Sequence, residues 1–287
     1  MTENPTVAEL LRAGTERLAA SFAGAAPEAT PALDVEVLIA HVLEVPRARL
    51  RSHPETRADA GQLRKYLGLL ERRAAGEPLA YLTGWREFWS LPLKVSAAVL
   101  VPRPESELLV ERALALRPGA QGSAADLGTG SGAVALAIAS ERPRWRVVAT
   151  DLSAEALAVA RANAAALGLG RVEFRQGDWF APLAHERFDL LVSNPPYVAA
   201  ADPALSCAPL AHEPRLALSP GEDALASLLA IARGAPGYLA RGGWLLLEHG
   251  ITQAASVRDA LVATGFRYVR SHRDLAGHER MTEGQLG

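Results

Sequence analysis

The sequence predicts an α/β protein in which a mostly parallel sheet is covered by helices on both faces, with a small all-helical domain before it. From about residue 124 onward, segments of strand character alternate with segments of helical periodicity, which is typical of parallel sheets with crossover helices. Residues 1–75 show helical periodicity alone. The 287 residues, of which 49% are hydrophobic, suffice for one domain of ordinary size and a smaller one.

Residues 1–75 are predicted to form the helical domain. Apolar side chains recur at helical spacing in two segments, at Val7, Leu10, Leu11, Leu18 and Phe22, and again at Leu33, Val37, Leu38, Val42 and Leu43. Thr30 fits the N-cap of the second helix, because Pro31 suits the first helical position. A third helix is expected from about Asp59 to Ala75, ending at Gly76.

Residues 76–104 are predicted to form a short hairpin or an extended connector. Aromatic and β-branched residues alternate there with turn formers, namely Tyr81, Trp85, Phe88, Trp89, Val95, Val99 and Val101 with Gly84, Pro92, Pro102 and Pro104. A flexible linker would instead be rich in glycine and serine. The second domain is therefore expected to occupy residues 105–287.

Six strands and two of the intervening helices can be located in the second domain. The predicted strands are Ala124–Leu127, Arg146–Asp151, Val172–Gln176, Asp189–Ser193, Trp244–Glu248 and Phe266–Ser271. The predicted helices are Ala133–Glu141 and Ser153–Leu167.

Composition excludes several classes of function. The net charge is −2 and no basic stripe is present, which disfavours a protein that binds nucleic acid mainly through phosphates. Cys207 is the only cysteine and the seven histidines lack ligand spacing, so neither a disulfide nor a metal site is expected. No apolar run reaches the roughly 18 residues of a membrane span, and the N-terminus does not resemble a signal peptide. We expect a cytoplasmic monomer without membrane or metal.

A glycine-rich turn, Gly128-Thr129-Gly130-Ser131-Gly132, follows the first strand of the second domain and precedes a helix. Glycines let the backbone turn sharply and approach a ligand closely. The next strand ends at Asp151, 23 residues after Gly128. Nucleotide-binding α/β folds place there an acid that bonds the ribose hydroxyls. The alternatives are a plain loop for the glycines and a helix-start residue for Asp151.

The spacing of these glycines favours a nucleoside cofactor without phosphates. The pattern is G-x-G-x-G, not the dinucleotide G-x-G-x-x-G, and no phosphate loop is present. S-adenosylmethionine carries no phosphate and fits this pattern. Asp178 and Trp179 follow the third strand, where an acid could bond the adenine amino group and a ring could contact the base. Trp179 could instead fill the core.

The tetrapeptide Asn194-Pro195-Pro196-Tyr197 follows the fourth predicted strand, at the sheet edge where α/β folds bind ligands. An amide or exocyclic amine is a poor nucleophile, because its lone pair is delocalised. Two acceptors that hold both N–H protons would aim that lone pair; the Asn194 side chain and the stiffened Pro195 carbonyl can supply them. Tyr197 offers a flat face for a planar group. A purely structural turn is the alternative.

The glycine turn, Asp151 and Asn194-Pro195-Pro196-Tyr197 together resemble the class I amino-methyltransferases, which modify DNA, rRNA or protein glutamine. Further segments resemble the release factor glutamine N5-methyltransferase family. They are Glu77–Gly84, Arg86–Trp89, Val101–Glu107, Glu213–Leu218 and Asp274–Gly277. The resemblance covers nearly the whole chain, most loosely over residues 1–75. The segment Ser219–Ala224 departs from the expected glycine-richer loop.

The resemblance implies a Rossmann-like domain with a seven-stranded sheet, and a function. Methyl transfer from S-adenosylmethionine, with S-adenosylhomocysteine as product, would modify the glutamine of the Gly-Gly-Gln motif in class 1 peptide chain release factors. It implies that Gly128–Gly132, Asp151 and Trp179 hold the cofactor. Asn194 would contact both cofactor and substrate, and Pro195, Pro196 and Tyr197 would hold the target glutamine. The helical domain would help to dock the release factor. Pro102–Glu107 would either border the cofactor pocket or pack between domains.

Three other functions are weighed against this one. A methyltransferase of rRNA guanine N2 or DNA adenine N6 shares the tetrapeptide, but the acidic charge and residues 77–107 argue against it. A binding factor that has lost catalysis is disfavoured by the intact glycines, Asp151 and Asn194. A nicotinamide dehydrogenase is disfavoured by the glycine spacing.

Overall fold

The computed structural model describes residues 4–22, 30–116, 119 and 121–287. The chain divides into two compact units. The first, the helical unit, comprises Met1–Gly84 and Cys207–His212; the second, the sheet unit, comprises Trp85–Ser206 and Glu213–Gly287. Residues 1–3 and 23–29 of the predicted helical domain lie outside the described residues. No helix in the described ranges combines the length and apolar character needed to traverse a bilayer.

The described residues of the helical unit form five α-helices. They are α1 (Val7–Phe22), α2 (Pro31–Leu43), α3 (Arg47–Ser52), α4 (Ala60–Ala74) and α5 (Leu79–Thr83). Asp59 caps α4, since its side chain accepts hydrogen bonds from the Gly61 and Gln62 amides. In return, the Asp59 amide donates to the side-chain oxygen of Gln62. Thr30 does stand at the N-cap position of α2, but its side chain makes no capping hydrogen bond.

The core of the helical unit is formed by the apolar stripes of α1, α2 and α4. Leu18, Val35 and Leu38 are fully buried there. The buried Tyr66 of α4 donates a hydrogen bond from its hydroxyl to the Leu10 carbonyl, 3.2 Å away, because a buried hydroxyl requires a partner. Gly14 of α1 faces this tyrosine, and a Cβ added there would lie 2.0 Å from the Tyr66 hydroxyl oxygen.

The segment 76–104 is divided between the two units. Pro78 is the N-cap of α5 and Gly84, at φ 80°, is its C-cap, so this short helix belongs to the helical unit. The sheet unit then opens with a hairpin of β1 (Trp85–Phe88) and β2 (Leu91–Lys94). Trp89 at the hairpin turn has positive φ, which is unfavourable for a bulky residue. Its amide and indole N–H groups are held by Glu107 and Glu141.

The sheet unit has one seven-stranded sheet flanked by helices. Its strands are β3 (Ser123–Leu127), β4 (Arg146–Asp151), β5 (Glu173–Gln176), β6 (Phe188–Ser193), β7 (Leu239–Glu248), β8 (Phe266–Arg273) and β9 (Glu279–Leu286). Its helices are α6 (Glu107–Leu116), α7 (Ala133–Glu141), α8 (Ala154–Ala166), α9 (Arg215–Leu218), α10 (Ala226–Gly234) and α11 (Ala254–Ala263). The predicted α/β class is confirmed, and the six strands located in the sequence are all present.

The strand order is β5-β4-β3-β6-β7-β9-β8. Strands β3 to β7 pair in parallel, whereas β9 runs antiparallel to both of its neighbours. The chain proceeds outward from β3 to β5 and then returns to place β6 on the other side of β3. The topological switch point therefore lies between β3 and β6, and the carboxyl ends of these two strands are adjacent.

Replacing Gly14 with alanine is expected to destabilise the helical unit by about 1–3 kcal/mol, since overpacking displaces Tyr66 and Val35. Gly68, on the exposed face of α4, is the matched control, because a Cβ there meets nothing within 4 Å. The Gly68→Ala change should raise helix stability by roughly 0.5–1 kcal/mol. Hydrogen exchange of the α1 and α4 amides measures both effects. Equal protection in the two variants would contradict the close contact at Gly14.

Candidate functional site

A cavity of about 350 Å³ lies at the carboxyl ends of β3, β4 and β6. The sheet topology predicts a ligand site at this edge. The lining residues come from the loop before α6, the glycine turn, the ends of β4, β5 and β6, and the segment around α9. All of these belong to the sheet unit.

Residues 128–131 of the glycine turn line one wall of the cavity, and Gly132 is not among the lining residues. Its first two amides, those of Gly128 and Thr129, each donate to the Thr150 carbonyl at 2.9 Å, which ties the turn to the end of β4. Gly128 has φ 74°, and a Cβ there would lie 3.2 Å from the Trp179 ring. Both the positive φ and the nearby Trp179 ring therefore require glycine at this position. Gly132, at φ 85°, is the N-cap of α7.

Asp151 faces the same cavity and is held by the backbone around it. Its Oδ2 accepts from the Gly130 amide at 2.8 Å, and its Oδ1 accepts from the Ser153 amide at 2.9 Å. Burial raises the pKa of Asp151, and these two backbone hydrogen bonds act in the opposite direction. Asp151 is the last residue of β4 and lines the cavity, whereas Ser153 is the N-cap of α8. Each of its oxygens keeps acceptor capacity for a ligand hydroxyl.

A second acid, Asp126, lies behind the glycine turn. It is 3% exposed, and its Oδ2 accepts hydrogen bonds from the Thr129 hydroxyl at 2.7 Å and the Ala135 amide at 3.2 Å. Burial raises the pKa of Asp126 to about 7, against the lowering effect of these hydrogen bonds. Sequence interpretation did not assign it a role, although its place immediately before the glycine turn was a usable signal.

The remaining predicted cofactor residues also lie at the cavity. Thr129, Ser131, Asp178 and Trp179 all line it. The Thr150 hydroxyl donates to the Trp179 carbonyl at 3.0 Å, which fixes the backbone that carries the ring. Trp179 also packs against the core on one side of the sheet, so its ring both fills space and borders the cavity.

Asn194 and Pro196 bring the tetrapeptide to the cavity, whereas Pro195 and Tyr197 are not among the lining residues. The Asn194 Nδ2 group donates to the Ser106 hydroxyl at 3.0 Å, which leaves Oδ1 available as an acceptor. The Tyr197 hydroxyl donates to Glu248 Oε1 over 3.4 Å, and the Tyr197 carbonyl accepts from Gln253 at 3.1 Å. Burial raises the pKa of Tyr197.

The segment Pro102–Glu107 borders the cavity through Pro102, Arg103 and Ser106. Its conformation depends on the buried Glu213, which accepts from the Val101 amide at 3.0 Å and pairs with the Arg103 guanidinium. The position supports the pocket-border interpretation of this segment. The departing loop Ser219–Ala224 reaches the cavity through Ser219 and Pro220.

Sequence interpretation assigned no role to Asp126 or Glu248, and it included Ser106 only within the segment Pro102–Glu107. Ser106 and Glu248 lie in different elements from Asn194, and only the fold brings them together. No cluster of three or more histidine, cysteine or acidic side chains suitable for a metal ion occurs in the described parts of the chain.

Comparisons with known proteins point to one family. Residues 104–213 match the family model described as methyltransferase small domain, and residues 9–84 match the PrmC N-terminal domain. The release factor glutamine methyltransferase of Vibrio cholerae is 46% identical over 281 residues, which are 98% of this chain and 96% of that protein. Its counterpart from Xylella fastidiosa is 48% identical over 282 residues, 98% of each chain.

Solved structures show the same fold at lower identity. A methyltransferase from Pyrococcus furiosus has a TM-score of 0.53 and 17% identity, covering 80% of this chain and 100% of that one. At such identity the likeness concerns the fold alone.

Asp126 is expected to make the sheet unit less stable as pH rises from about 4 to about 7. The pKa of Asp126 in the folded state is raised above the unfolded value of 3.8, so in this interval the folded protein keeps a proton that the unfolded chain has released. The stabilisation that this proton provides is complete below about pH 4 and is lost as the pH rises through about 7. The isosteric Asp126→Asn change removes this contribution. The stability of the variant relative to wild type should therefore increase from pH 5 to pH 8.

Urea unfolding followed by tryptophan fluorescence tests this, because all five tryptophans lie in the sheet unit. A difference between wild type and variant that stays constant with pH would contradict the raised pKa.

Proposed function

The chain belongs to the release factor glutamine methyltransferase family, and we propose that it methylates the glutamine of the Gly-Gly-Gln motif in class 1 release factors. The methyl donor is S-adenosylmethionine and the acceptor is the side-chain amide nitrogen N5. One observation carries the proposal: Asn194 lines the same cavity as the glycine turn and Asp151. An amide-orienting group and a nucleoside-binding wall thus share one space.

The residues at the cavity fit S-adenosylmethionine. Gly128 lacks the Cβ that would meet Trp179, so the wall is open beside a flat ring suited to a base. The Asp151 oxygens can accept from ribose hydroxyls, and the buried Asp126 suits a neighbouring cationic amino group. We assign cofactor binding to Gly128–Gly132, Asp151, Asp178, Trp179 and Asn194. When bound, the cofactor supplies a methyl group on a positively charged sulfur.

The chain's own contribution to the reaction is the positioning of the amide nitrogen. Asn194 Oδ1 and the Pro195 carbonyl accept one N–H each, so that the nitrogen lone pair points along the line of displacement. When bound, S-adenosylmethionine would supply the methyl group to this nitrogen and would leave as S-adenosylhomocysteine, and the proton released from the nitrogen would pass to solvent. Proximity and orientation lower the activation barrier in such a site by several kcal/mol. Acceptors near the nitrogen also stabilise the positive charge that develops on it.

The tetrapeptide's other residues restrict this geometry. Two successive prolines, Pro195 and Pro196, limit the backbone after Asn194 and so hold the Pro195 carbonyl in one direction. The Tyr197 ring, tethered at its hydroxyl and its carbonyl, is the flat surface proposed for the substrate amide plane. We further propose that the helical unit docks the release factor, and that the enzyme acts as a monomer in the cytoplasm without touching nucleic acid.

The decisive experiment supplies methyl-labelled S-adenosylmethionine and a class 1 release factor, as wild type and as a Gln→Ala variant of its Gly-Gly-Gln motif. Label should enter the wild-type factor alone, and mass spectrometry should place one methyl on that glutamine. Parallel reactions contain rRNA and DNA. Label in a nucleic acid and none in either factor would instead support the amino-methyltransferase of nucleic acids.

The cavity predicts opposite effects for two substitutions. Asn194→Ala should lower kcat by about 100-fold or more, since it removes an orienting acceptor, while cofactor affinity stays within a few fold. Asp151→Ala should weaken cofactor binding by roughly 10- to 100-fold, because a charged hydrogen-bond acceptor is lost. Calorimetry and steady-state kinetics separate the two effects. Asp259→Ala, an exposed acid of α11, is the control and should change neither.

A near-normal kcat in the Asn194 variant would contradict the orienting role. Unchanged cofactor affinity in the Asp151 variant would remove that residue from the site.

A further inference from the structure

The side chain of Gln253, just before α11, holds two segments of the candidate site together. Its Nε2 group donates to the Tyr197 carbonyl at 3.1 Å and to the Ala224 carbonyl at 3.3 Å. Its Oε1 atom accepts from the Gly250 amide at 2.8 Å. Tyr197 ends the tetrapeptide, and Ala224 ends the loop Ser219–Ala224, whose first two residues line the cavity. One half-buried side chain thus connects three segments of the sheet unit.

These three partners require an amide and determine its orientation. A carbonyl oxygen can only accept and a backbone N–H can only donate, so the side-chain nitrogen must face Tyr197 and Ala224 while the oxygen faces Gly250. Both hydrogens of Nε2 are used in this way. A glutamate of the same shape would place negative charge against two carbonyl oxygens, and a methionine of similar length would offer no donor.

The helix that follows does not account for this side chain. Gln253 is the N-cap residue of α11, but its side chain makes no capping hydrogen bond. Glutamine is also not among the side chains that commonly cap helices. The turn that carries Gln253 is itself fixed, since the Gln253 amide donates to the Gly250 carbonyl at 3.0 Å. Gln253 is therefore a fixed point to which the neighbouring segments are attached.

The tetrapeptide needs an external support at its Tyr197 end. The two prolines after Asn194 have no N–H, so neither can donate a backbone hydrogen bond to the rest of the protein. At the other end, the Asn194 side chain donates to Ser106 at 3.0 Å. The Pro195 carbonyl is reserved for the substrate in the proposed mechanism. The bond from Gln253 to the Tyr197 carbonyl therefore supports a segment that has few other means of attachment.

The loop Ser219–Ala224 runs beside the residues that follow the tetrapeptide. The Ala200 amide donates to the Gly221 carbonyl at 2.8 Å, and Gln253 adds its bond at Ala224. Because the first residues of this loop line the cavity, the same side chain supports the tetrapeptide and a second part of the cavity lining.

We infer that Gln253 is a positioning residue that fixes Tyr197 and the loop Ser219–Ala224 relative to β7 and α11. The inference rests on the proposed function, in which Tyr197 offers the flat surface for the substrate amide. Gln253 itself does not line the cavity. Without its two N–H groups the Tyr197 end of the tetrapeptide can shift, and a displacement of about 1 Å can lower a rate by roughly 100-fold. The glycine turn and Asp151 do not depend on this support, so kcat should fall while cofactor affinity is kept.

The test measures turnover of the release factor by Gln253→Met and Gln253→Glu at saturating cofactor, below the melting temperature of every variant. Gln253→Met removes both donors, so kcat should fall about tenfold. Gln253→Glu also sets a charge against two carbonyls, so kcat should fall further, by roughly 30-fold or more. Cofactor affinity should stay within about twofold, because the lost contacts act on the substrate side of the site. A near-normal kcat in either variant would overturn the inference.

Gln285→Met is the matched control, because Gln285 is also half-buried and its Nε2 group donates to the Gly242 carbonyl at 2.9 Å. It lies in β9 and does not line the cavity. The change should lower the melting temperature as Gln253→Met does and leave kcat as in wild type. Equal losses of kcat in the two methionine variants would overturn the inference, as would parallel losses of kcat and cofactor affinity in the Gln253 variants.

A second measurement does not depend on turnover. The amide ¹⁵N shifts of Val198 and Leu225 report on the two peptide carbonyls that Gln253 holds, because a hydrogen bond to a carbonyl polarises the N–H of the same peptide group. Both shifts should change in Gln253→Met and stay constant in Gln285→Met. Unchanged shifts in Gln253→Met would overturn the positioning role. If the shifts change as expected but wild type methylates no release factor, the proposed function fails and the contacts of Gln253 stand.

Discussion

The parallel pairing of β3 with β6 is the constraint on which the rest of the site depends. Its register sets Asp126 opposite Val192, so the two strands end side by side. The Ser193 hydroxyl donates to the Leu127 carbonyl at 2.6 Å and ties the two ends together one residue before each functional segment begins. The glycine turn and Asn194, which follow residues 66 positions apart in sequence, thereby share one cavity. A slip in this pairing would separate the glycine turn from Asn194, whatever the quality of each local motif.

Buried acids behind the cavity give the site its electrostatic character. Asp126 and Glu248 both have pKa values raised to about 7 by burial, and they lie near the carboxyl ends of β3 and β7, which are separated by β6. Neither is fully neutralised by an arginine, unlike Glu213, which pairs with Arg103. Acids held in this way respond to a bound cation or to a rearranged hydrogen bond, because a small change in environment changes their charge. These acids therefore make the sheet less stable near neutral pH at the place where a charged ligand is proposed to bind.

Sequence reasoning recovered what is encoded locally. Helix α7 and strand β4 have the predicted bounds, and the glycine turn, Asp151 and Asn194 all reach one cavity. Strand β9 was not located, since Glu279–Leu286 is rich in polar residues and has no strong strand propensity. It becomes a strand because β7 and β8 supply partners on both sides, and its Thr282 and Glu283 are buried through pairing rather than through apolar character. The hydrogen bond between Ser106 and Asn194 could not be read from the sequence, because it joins residues 88 positions apart.

The pseudo-symmetry of an asparagine side chain explains why such distant residues are needed. The oxygen and nitrogen of the Asn194 amide are nearly equal in size, so packing alone does not distinguish the two orientations. The prolines that follow restrict the backbone but leave this last rotation undecided. Only a neighbour with a definite hydrogen-bonding role can choose between them, and Ser106 is that neighbour, because its hydroxyl oxygen accepts from Asn194 Nδ2. The position of Ser106 before α6 therefore matters to a site that works by orientation.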